Sequence, residues 1–253
     1  MKNNEHWTIG IHAVTALLQK RPADIVRIQL QLERKDTRLG AIRTLCKNAG
    51  ITTEETSRQD MDKQHPGVHQ GVAALHRSAK PLTSERDLTS WLSTLNHDPL
   101  LLVLDGITDP HNLGACLRTA DAAGVDAVII PKDKSAPLNT TVRKAASGAT
   151  ESITIIQVTN LARCLEALKK QGIWLAGTED NAETTLYEQN LTGPLALIMG
   201  SEDTGLRRLT RSHCDYLISI PLTGTVTSLN VSVATGVCLF EASRQRQKAT
   251  TSQ

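Results

Sequence analysis

From residue 100 onward the chain repeats one pattern, a short apolar run that reads as a strand followed by an amphipathic stretch that reads as a helix. The runs are Leu100–Leu104, Val125–Ile130, Ile153–Val158, Ile173–Ala176, Leu195–Met199 and Tyr216–Ile220. A strand this uniformly apolar is stable only when both of its faces are covered, and the helical segments between most of the runs supply that cover. The fold class is therefore α/β, built on a parallel sheet. In such sheets ligands bind beyond the carboxyl ends of the strands. The loops after Leu104, Met199 and Ile220 are accordingly where chemistry is expected, and they are also the least ordinary stretches of the chain.

The first third is organised differently. Ile11, Val14, Leu17 and Leu18 fall at helical spacing, after which Val26, Ile28, Leu30 and Leu32 alternate with polar residues as in a strand. A second helix carries Leu39, Ile42, Leu45 and Cys46 and stops at Gly50, followed by short strands at Ile51 and over Gly71–Leu75. This predicts a small α/β domain over residues 1–77. Residues 78–87, with Lys80, Pro81, Thr83 and Ser84, lack an apolar pattern and read as a linker, so the larger domain spans 88–253.

The net charge of +2 does not announce a nucleic-acid binder, but the total hides an asymmetry. Residues 1–78 hold 12 Lys and Arg against 8 Asp and Glu, whereas the rest hold 16 against 18. Any RNA-binding surface belongs to the basic first domain, with Arg27, Arg34, Lys35 and Arg38 as its candidate residues. With aromatic residues at 2%, a sheet that stacks bases on several rings is excluded. The five cysteines are scattered and read as reduced core thiols. His65 and His69 are four apart, but Pro66 and Gly67 between them predict a turn rather than a metal-holding helix, and no metal is expected. The polar start of the chain and the absence of a run of roughly 18 apolar residues predict a cytoplasmic protein with no membrane span.

No GxGxxG and no phosphate-binding P-loop follows any strand, so a Rossmann-type site is not expected. Instead, the segment after Leu104 contains NLGACLRTA (Asn112–Ala120), the segment after Leu195 contains LIMGSEDTGL (Leu197–Leu206), and the last loop reads IPLTGTVTSLNVSVATG (Ile220–Gly236). In order and spacing these resemble the three signatures of the SpoU (TrmH) branch of the SPOUT methyltransferases. Together with GIHAV at Gly10–Val14 and HQGVAA at His69–Ala74, the resemblance covers nearly the whole chain. It points to the branch members that methylate a guanosine ribose in the peptidyl-transferase region of 23S rRNA. It implies a deep trefoil knot in the C-terminal SPOUT domain, S-adenosylmethionine bent within it, and a homodimer whose interface lies beside the site.

Carried onto this chain, the resemblance implies catalytic roles for Asn112, Arg118, Glu202, Ser228 and Asn230, and a donor site at Gly177, Thr178, Gly200, Ile220 and Leu229. The reaction is an attack of a ribose 2'-hydroxyl on a sulfonium methyl. A fixed cation beside the developing alkoxide would lower its barrier, and Arg118 is the candidate, since a guanidinium is a poor base. Asn112 and Asn230 would orient RNA and arginine, Ser228 would meet the substrate, and Glu202 would fix the neighbouring loop. Taken singly, each has a plainer explanation: Arg118 as a solvated helix residue, Asn112 and Ser228 as helix caps, Glu202 as a charge near a helix start. Arg244, Arg246 and Lys248 most simply complement the dipole of the final helix. The sequence leaves two other functions open, a tRNA-ribose methylase and a non-catalytic RNA-binding assembly factor. The first-domain sequence favours rRNA over tRNA, and the joint presence of the motif residues favours an enzyme.

Overall fold

The computed structural model describes residues 5–32, 34, 36–77 and 85–251, and in it the chain divides into two compact units. Most of the stretch read as a linker, and Lys35 of the basic set, lie outside the described residues. The first unit contains β1 (Glu5–Ile9), α1 (Ile11–Lys20), a 3-10 turn (Pro22–Asp24), β2 (Ile25–Gln31), α2 (Thr37–Asn48), β3 (Thr53–Thr56), α3 (Arg58–Gln64) and β4 (Val72–Arg77). Its sheet runs β1-β4-β2-β3, antiparallel except for the β2–β3 pair. The apolar face of α1 (Ile11, Val14, Leu17, Leu18) packs with Leu39, Ile42 and Cys46 of α2 over Ile28, Leu30, Val72 and Ala74 of the sheet.

The second unit contains α4 (Glu85–Leu92), β5 (Leu100–Asp105), α5 (Pro110–Ala122), β6 (Ala127–Pro131) and α6 (Thr140–Ala145). The short α7 (Ala149–Ser152) follows and belongs, with all of residues 147–152, to the first unit. The second unit then continues with β7 (Thr154–Val158), α8 (Leu161–Lys170), β8 (Trp174–Thr178), β9 (Thr184–Thr185), β10 (Leu195–Gly200), α9 (Arg208–His213), β11 (Tyr216–Ser219) and α10 (Val231–Thr251). Its sheet is wholly parallel, in the order β7-β6-β5-β10-β8-β11-β9. Every residue of β5 and β10 is buried, as two-sided cover demands. One face of the sheet packs Leu101, Val103, Ile129 and Ile198 against Leu161, Leu165 and Leu168 of α8 and Leu88 of α4.

Several expectations need adjustment. α4 begins at Glu85, inside the stretch read as a linker. The strand expected at Ile51 lies instead over Thr53–Thr56, where a polar sequence is held extended by parallel pairing with β2. α7 returns to the first unit through a close approach: a Cβ on Gly148 would stand 2.8 Å from the Cα of Ala13. There Glu151 Oε2 lies 3.6 Å from Nε2 of the fully buried His76, which also bonds Thr8 Oγ1 at 2.9 Å.

The basic residues near the end of α10 do not act together on the helix dipole. Arg246 turns inward and donates to the carbonyls of Asp98 (2.9 Å), Pro99 (3.0 Å) and Gly193, fastening the helix to the loops that lead into β5 and β10. Arg244 bonds Glu241 at 2.6 Å, and that bond is the main reason the Glu241 carboxyl is held down to about 2. Lys248 alone is a basic residue of the last turn.

The cysteines are free, and all but Cys214 are fully buried. Burial pushes the Cys116 thiol up to about 11, which makes it a packing group although it lies within the first motif. Among the described residues no helix is long and apolar enough to cross a membrane, and no group of three or more His, Cys, Asp or Glu is placed to hold a metal. His65 and His69 turn to separate partners, Gln29 Oε1 at 2.6 Å and Asp62 Oδ1 at 2.8 Å.

Candidate active site

Strand geometry delivers the three motif loops to one end of the parallel sheet. β5 and β10 are neighbours in register, Met199 beside Leu104 and Gly200 beside Asp105, so the segments leaving them start side by side. The first enters α5, whose start is fixed by Pro110 in its first turn and by Asp109, which accepts from the amides of His111 (3.0 Å) and Asn112 (3.3 Å). The cap is therefore Asp109, and the Asn112 side chain is left for other work. The second segment folds back on itself, with Ser201 and Gly205 bridged and Gly205 at φ +62. That hairpin presses on its own start, because a Cβ on Gly200 would lie 2.2 Å from the carbonyl carbon of Gly205. Gly200 is thus required by the approach of the chain's own backbone.

Glu202, at the tip of this turn, joins the three loops. Its Oε2 accepts from Asn112 Nδ2 at 2.7 Å, and its Oε1 accepts from Asn230 Nδ2 at 2.5 Å and from the Val231 amide at 3.3 Å. Asn230 Nδ2 also donates to Asn112 Oδ1 at 3.1 Å, while Asn230 Oδ1 accepts from the amide (3.0 Å) and hydroxyl (2.6 Å) of Ser232. Asn230 therefore caps α10, a task Ser228 does not perform. A carboxylate and an amide at the start of a 21-residue helix also suit its positive end. Alanine at Glu202 removes three of these bonds at once. The expected result is a loss of about 1 kcal/mol of stability, typical of a lost N-terminal cap, read as a lower midpoint in thermal or urea unfolding.

Beside this junction lies a cleft of about 350 Å³ lined by the turn 199–206, the end of β8 with Glu179, Asp180 and Asn181, and the last loop through Ile220, Leu222, Ser228 and Leu229. Thr178 contributes to the wall while its hydroxyl donates to the Ile198 carbonyl at 3.2 Å. The lining contains the carboxylates of Glu179, Asp180, Glu202 and Asp203 and no Lys or Arg. Glu179 is held by a bidentate pair with Arg211, at 2.7 and 3.0 Å, and this bonding keeps its carboxyl below the ordinary carboxylate range.

Of the residues expected at the site, Thr178, Gly200, Glu202, Ile220, Ser228 and Leu229 line the cleft, and Asn112 and Asn230 meet at its edge through Glu202. Arg118 is exposed on α5 and stands outside the lining. Gly177 lies in β8 between β10 and β11, where a Cβ would meet Cys214 Sγ at 2.6 Å, so it serves packing beneath the cleft. In the first unit Arg27 pairs with Glu54 at 2.8 Å and lies over the Trp7 ring at 5.6 Å, Arg34 pairs with Asp36 at 2.5 Å, and Arg38 is exposed.

Sequence reasoning missed Asp105. Its fully buried carboxylate ends β5 and accepts from the Arg207 amide at 3.1 Å and from Arg207 Nε at 2.5 Å, which ties the turn after β10 to the floor of the sheet. The one signal available was a carboxylate closing a six-residue run of otherwise apolar residues.

Residues 99–240 match the model of the SpoU rRNA Methylase family, and residues 7–82 match that of the RNA 2'-O ribose methyltransferase substrate binding domain. The chain belongs to the SpoU rRNA methylase family. A relative in Pseudomonas putida, named as a 23S rRNA (guanosine-2'-O-)-methyltransferase RlmB, is 54% identical over 94% of this chain and 96% of its own length. One of the same name in Escherichia coli is 52% identical over 94% of this chain and 97% of its own. In fold, the chain is similar to the crystal structure of the SpoU methyltransferase AviRb from Streptomyces viridochromogenes in complex with AdoMet. That similarity has a TM-score of 0.72 at 23% identity and covers 97% of this chain and 92% of the other. The parallel sheet with a small α/β unit before it is thus the SpoU architecture.

Proposed function

We propose that this SpoU-family chain transfers a methyl group from S-adenosylmethionine to the 2'-hydroxyl of a guanosine ribose in 23S rRNA, in the peptidyl-transferase region. The observation that carries the reading is the junction of Asn112, Glu202 and Asn230, which draws the three motif loops together beside a cleft at the carboxyl ends of the strands. The junction also caps α10, but its place beside a cleft at the carboxyl ends of the strands favours an enzyme over a binding protein. The names of the Pseudomonas putida and Escherichia coli relatives supply the guanosine and the 23S rRNA.

The lining suits the donor. S-adenosylmethionine carries a sulfonium and an ammonium against one carboxylate, and although Arg211 balances Glu179, the carboxylates of Asp180, Glu202 and Asp203 give a lining that favours such a cation. When bound, the donor supplies a methyl group already activated for displacement. Backbone groups around Gly200, Ile220 and Leu229 would hold its adenosine, Asn112 and Asn230 keep the edge of the cleft rigid, Ser228 faces the incoming RNA, and Arg118 supplies positive charge for the hydroxyl as it loses its proton.

Residues 1–77 act as the RNA-binding domain and 88–253 as the catalytic one. The strand order, with β8 between β10 and β11 although β10 follows it in sequence, suits the C-terminal trefoil knot of the family. The working form is a homodimer. Val233, in the first turn of α10 after the cleft's last loop, and Phe240, seven residues further along the helix, are each 53% exposed and suit contact with a second copy. The enzyme acts in the cytoplasm, where its rRNA substrate is made.

The test is transfer of radiolabelled methyl to 23S rRNA from cells lacking the gene, with tRNA alongside and the modified nucleotide mapped by mass spectrometry. Label on one guanosine ribose of the peptidyl-transferase region is the expected result. Label on tRNA alone would overturn the substrate, and no transfer to either RNA would overturn the activity.

A further inference from the structure

The first unit holds a cavity of its own, about 400 Å³, at the carboxyl end of β2. Its wall is made by Gln31, Arg34, Arg58 and Asp62 together with the loop 67–71. Arg34 is fixed in direction, its Nε on Asp36 at 2.5 Å and its Nη1 on the Gln70 carbonyl at 2.8 Å. Arg58 differs: its side chain is 72% exposed and its nearest carboxylate, Asp62, is 3.8 Å away, beyond hydrogen-bond reach. Most of its donors therefore face solvent. The side-chain amide of Gln31 has no hydrogen-bond partner among the described residues.

The loop opposite is built stiffly. Gly67, Gln70 and Gly71 have φ of +132, +52 and +80, and Gln70, a non-glycine residue in this region, is kept there because its Oε1 accepts from the Ile11 amide at 3.0 Å. The Gly71 amide donates to His69 Nδ1 at 3.0 Å. Between them Val68 projects an apolar side chain that is 80% exposed. Gly71 must lack a side chain for Arg34 to pass, since a Cβ there would meet Arg34 Cδ at 3.1 Å.

Two guanidiniums, the Gln31 amide and an apolar tip around a concavity, with the Asp62 carboxylate on one side beside Arg58, form a set of groups suited to one nucleotide. Guanidinium planes stack on bases and their edges bind phosphate, a substitute for aromatic rings in a chain with so few of them. A duplex is recognised instead by shape and by phosphate and 2'-hydroxyl contacts spread across its minor groove. Resting on the reading that the substrate is RNA, we infer that this cavity receives a single unstacked nucleotide of that RNA. Arg58 binds its phosphate, Arg34 and Gln31 meet the base, and Val68 packs at the rim.

The experiment uses the full chain without methyl donor and a 23S rRNA fragment carrying 4-thiouridine, measuring retention on filters over a range of salt and mapping photo-crosslinks to peptides. Arg58→Ala is compared with Lys47→Ala, which removes the same charge from an exposed position at the end of α2, after melting curves show both folded. Expected are a roughly tenfold weaker affinity for Arg58→Ala, less than twofold for Lys47→Ala, and a crosslink to the loop around Val68 that Arg58→Ala abolishes. Equal effects of the two substitutions, or no crosslink to that loop in the unsubstituted chain, would overturn the cavity's role. Because no methyl transfer is read, loss of the proposed activity with these results intact would count against the activity alone.

Discussion

Alanine at Arg118 is expected to lower single-turnover methyl transfer to 23S rRNA by about 10² to 10³-fold, the range seen when one fixed group that stabilises a developing oxyanion is removed. A 2'-hydroxyl is a weak nucleophile until its proton departs, and the alkoxide formed on the way is stabilised by a cation that need not move. A guanidinium stays charged throughout and so works by its field. Arg118 is exposed, where even a paired charge contributes no more than about 1 kcal/mol, so the same substitution should shift the melting midpoint by about 4 °C or less. Lysine at the position should restore part of the rate. Methyl transfer at the original rate by the alanine variant would remove Arg118 from the reaction.

Alanine at Gly200 should act through the backbone. The added carbon would lie 2.2 Å from the Gly205 carbonyl carbon and 2.4 Å from the Leu206 nitrogen, and neither atom belongs to a side chain that can swing aside. The whole turn must shift, taking Glu202 away from Asn112 and Asn230 and reshaping the cleft wall. Overpacking of this kind costs about 1–3 kcal/mol, or a melting midpoint lower by roughly 2–12 °C in a chain of this size. Calorimetric titration with S-adenosylmethionine should show affinity reduced by more than about tenfold. Gly40→Ala is the control: nothing lies within 4 Å of its would-be Cβ, and as a position within α2 it should be neutral or slightly stabilising. Unchanged donor affinity in Gly200→Ala would mean that the turn does not shape the donor site.

The parts of the fold that could be read from the sequence were those whose burial is two-sided or periodic. β5 and β10 announce themselves because two-sided burial makes their consecutive positions apolar, with Asp105 at the end of β5 the one buried charge, and α1 because its apolar residues recur at helical spacing. β1 could not be read from the sequence, and β3 was expected two residues early, at Ile51, for the opposite reason. Glu5–Ile9 is short and mixed, and Thr53–Thr56 has no apolar residue, so both owe their extended form to partners distant in sequence, β4 and β2. At the site, Asn112, Glu202 and Asn230 were legible as members of motifs, but their bonds to one another span 28 to 118 residues and could not be. The Asp105–Arg207 pair, 102 residues apart, and the inward turn of Arg246 were hidden for the same reason.

The return of residues 147–152 to the first unit has a consequence for the order in which the protein is made. Ala13 of α1 packs on Gly148, and the buried His76 faces Glu151, so these contacts of the first unit are made only after residues 147–152 have left the ribosome, although its hydrophobic core lies within residues 11–74. The small domain is completed once the chain has emerged past Ser152, by which time β5 and β6 are already available to pair. A gene fragment cut at the linker would encode a domain with one wall missing, whereas one that carries the first unit on through Ser152 would supply it.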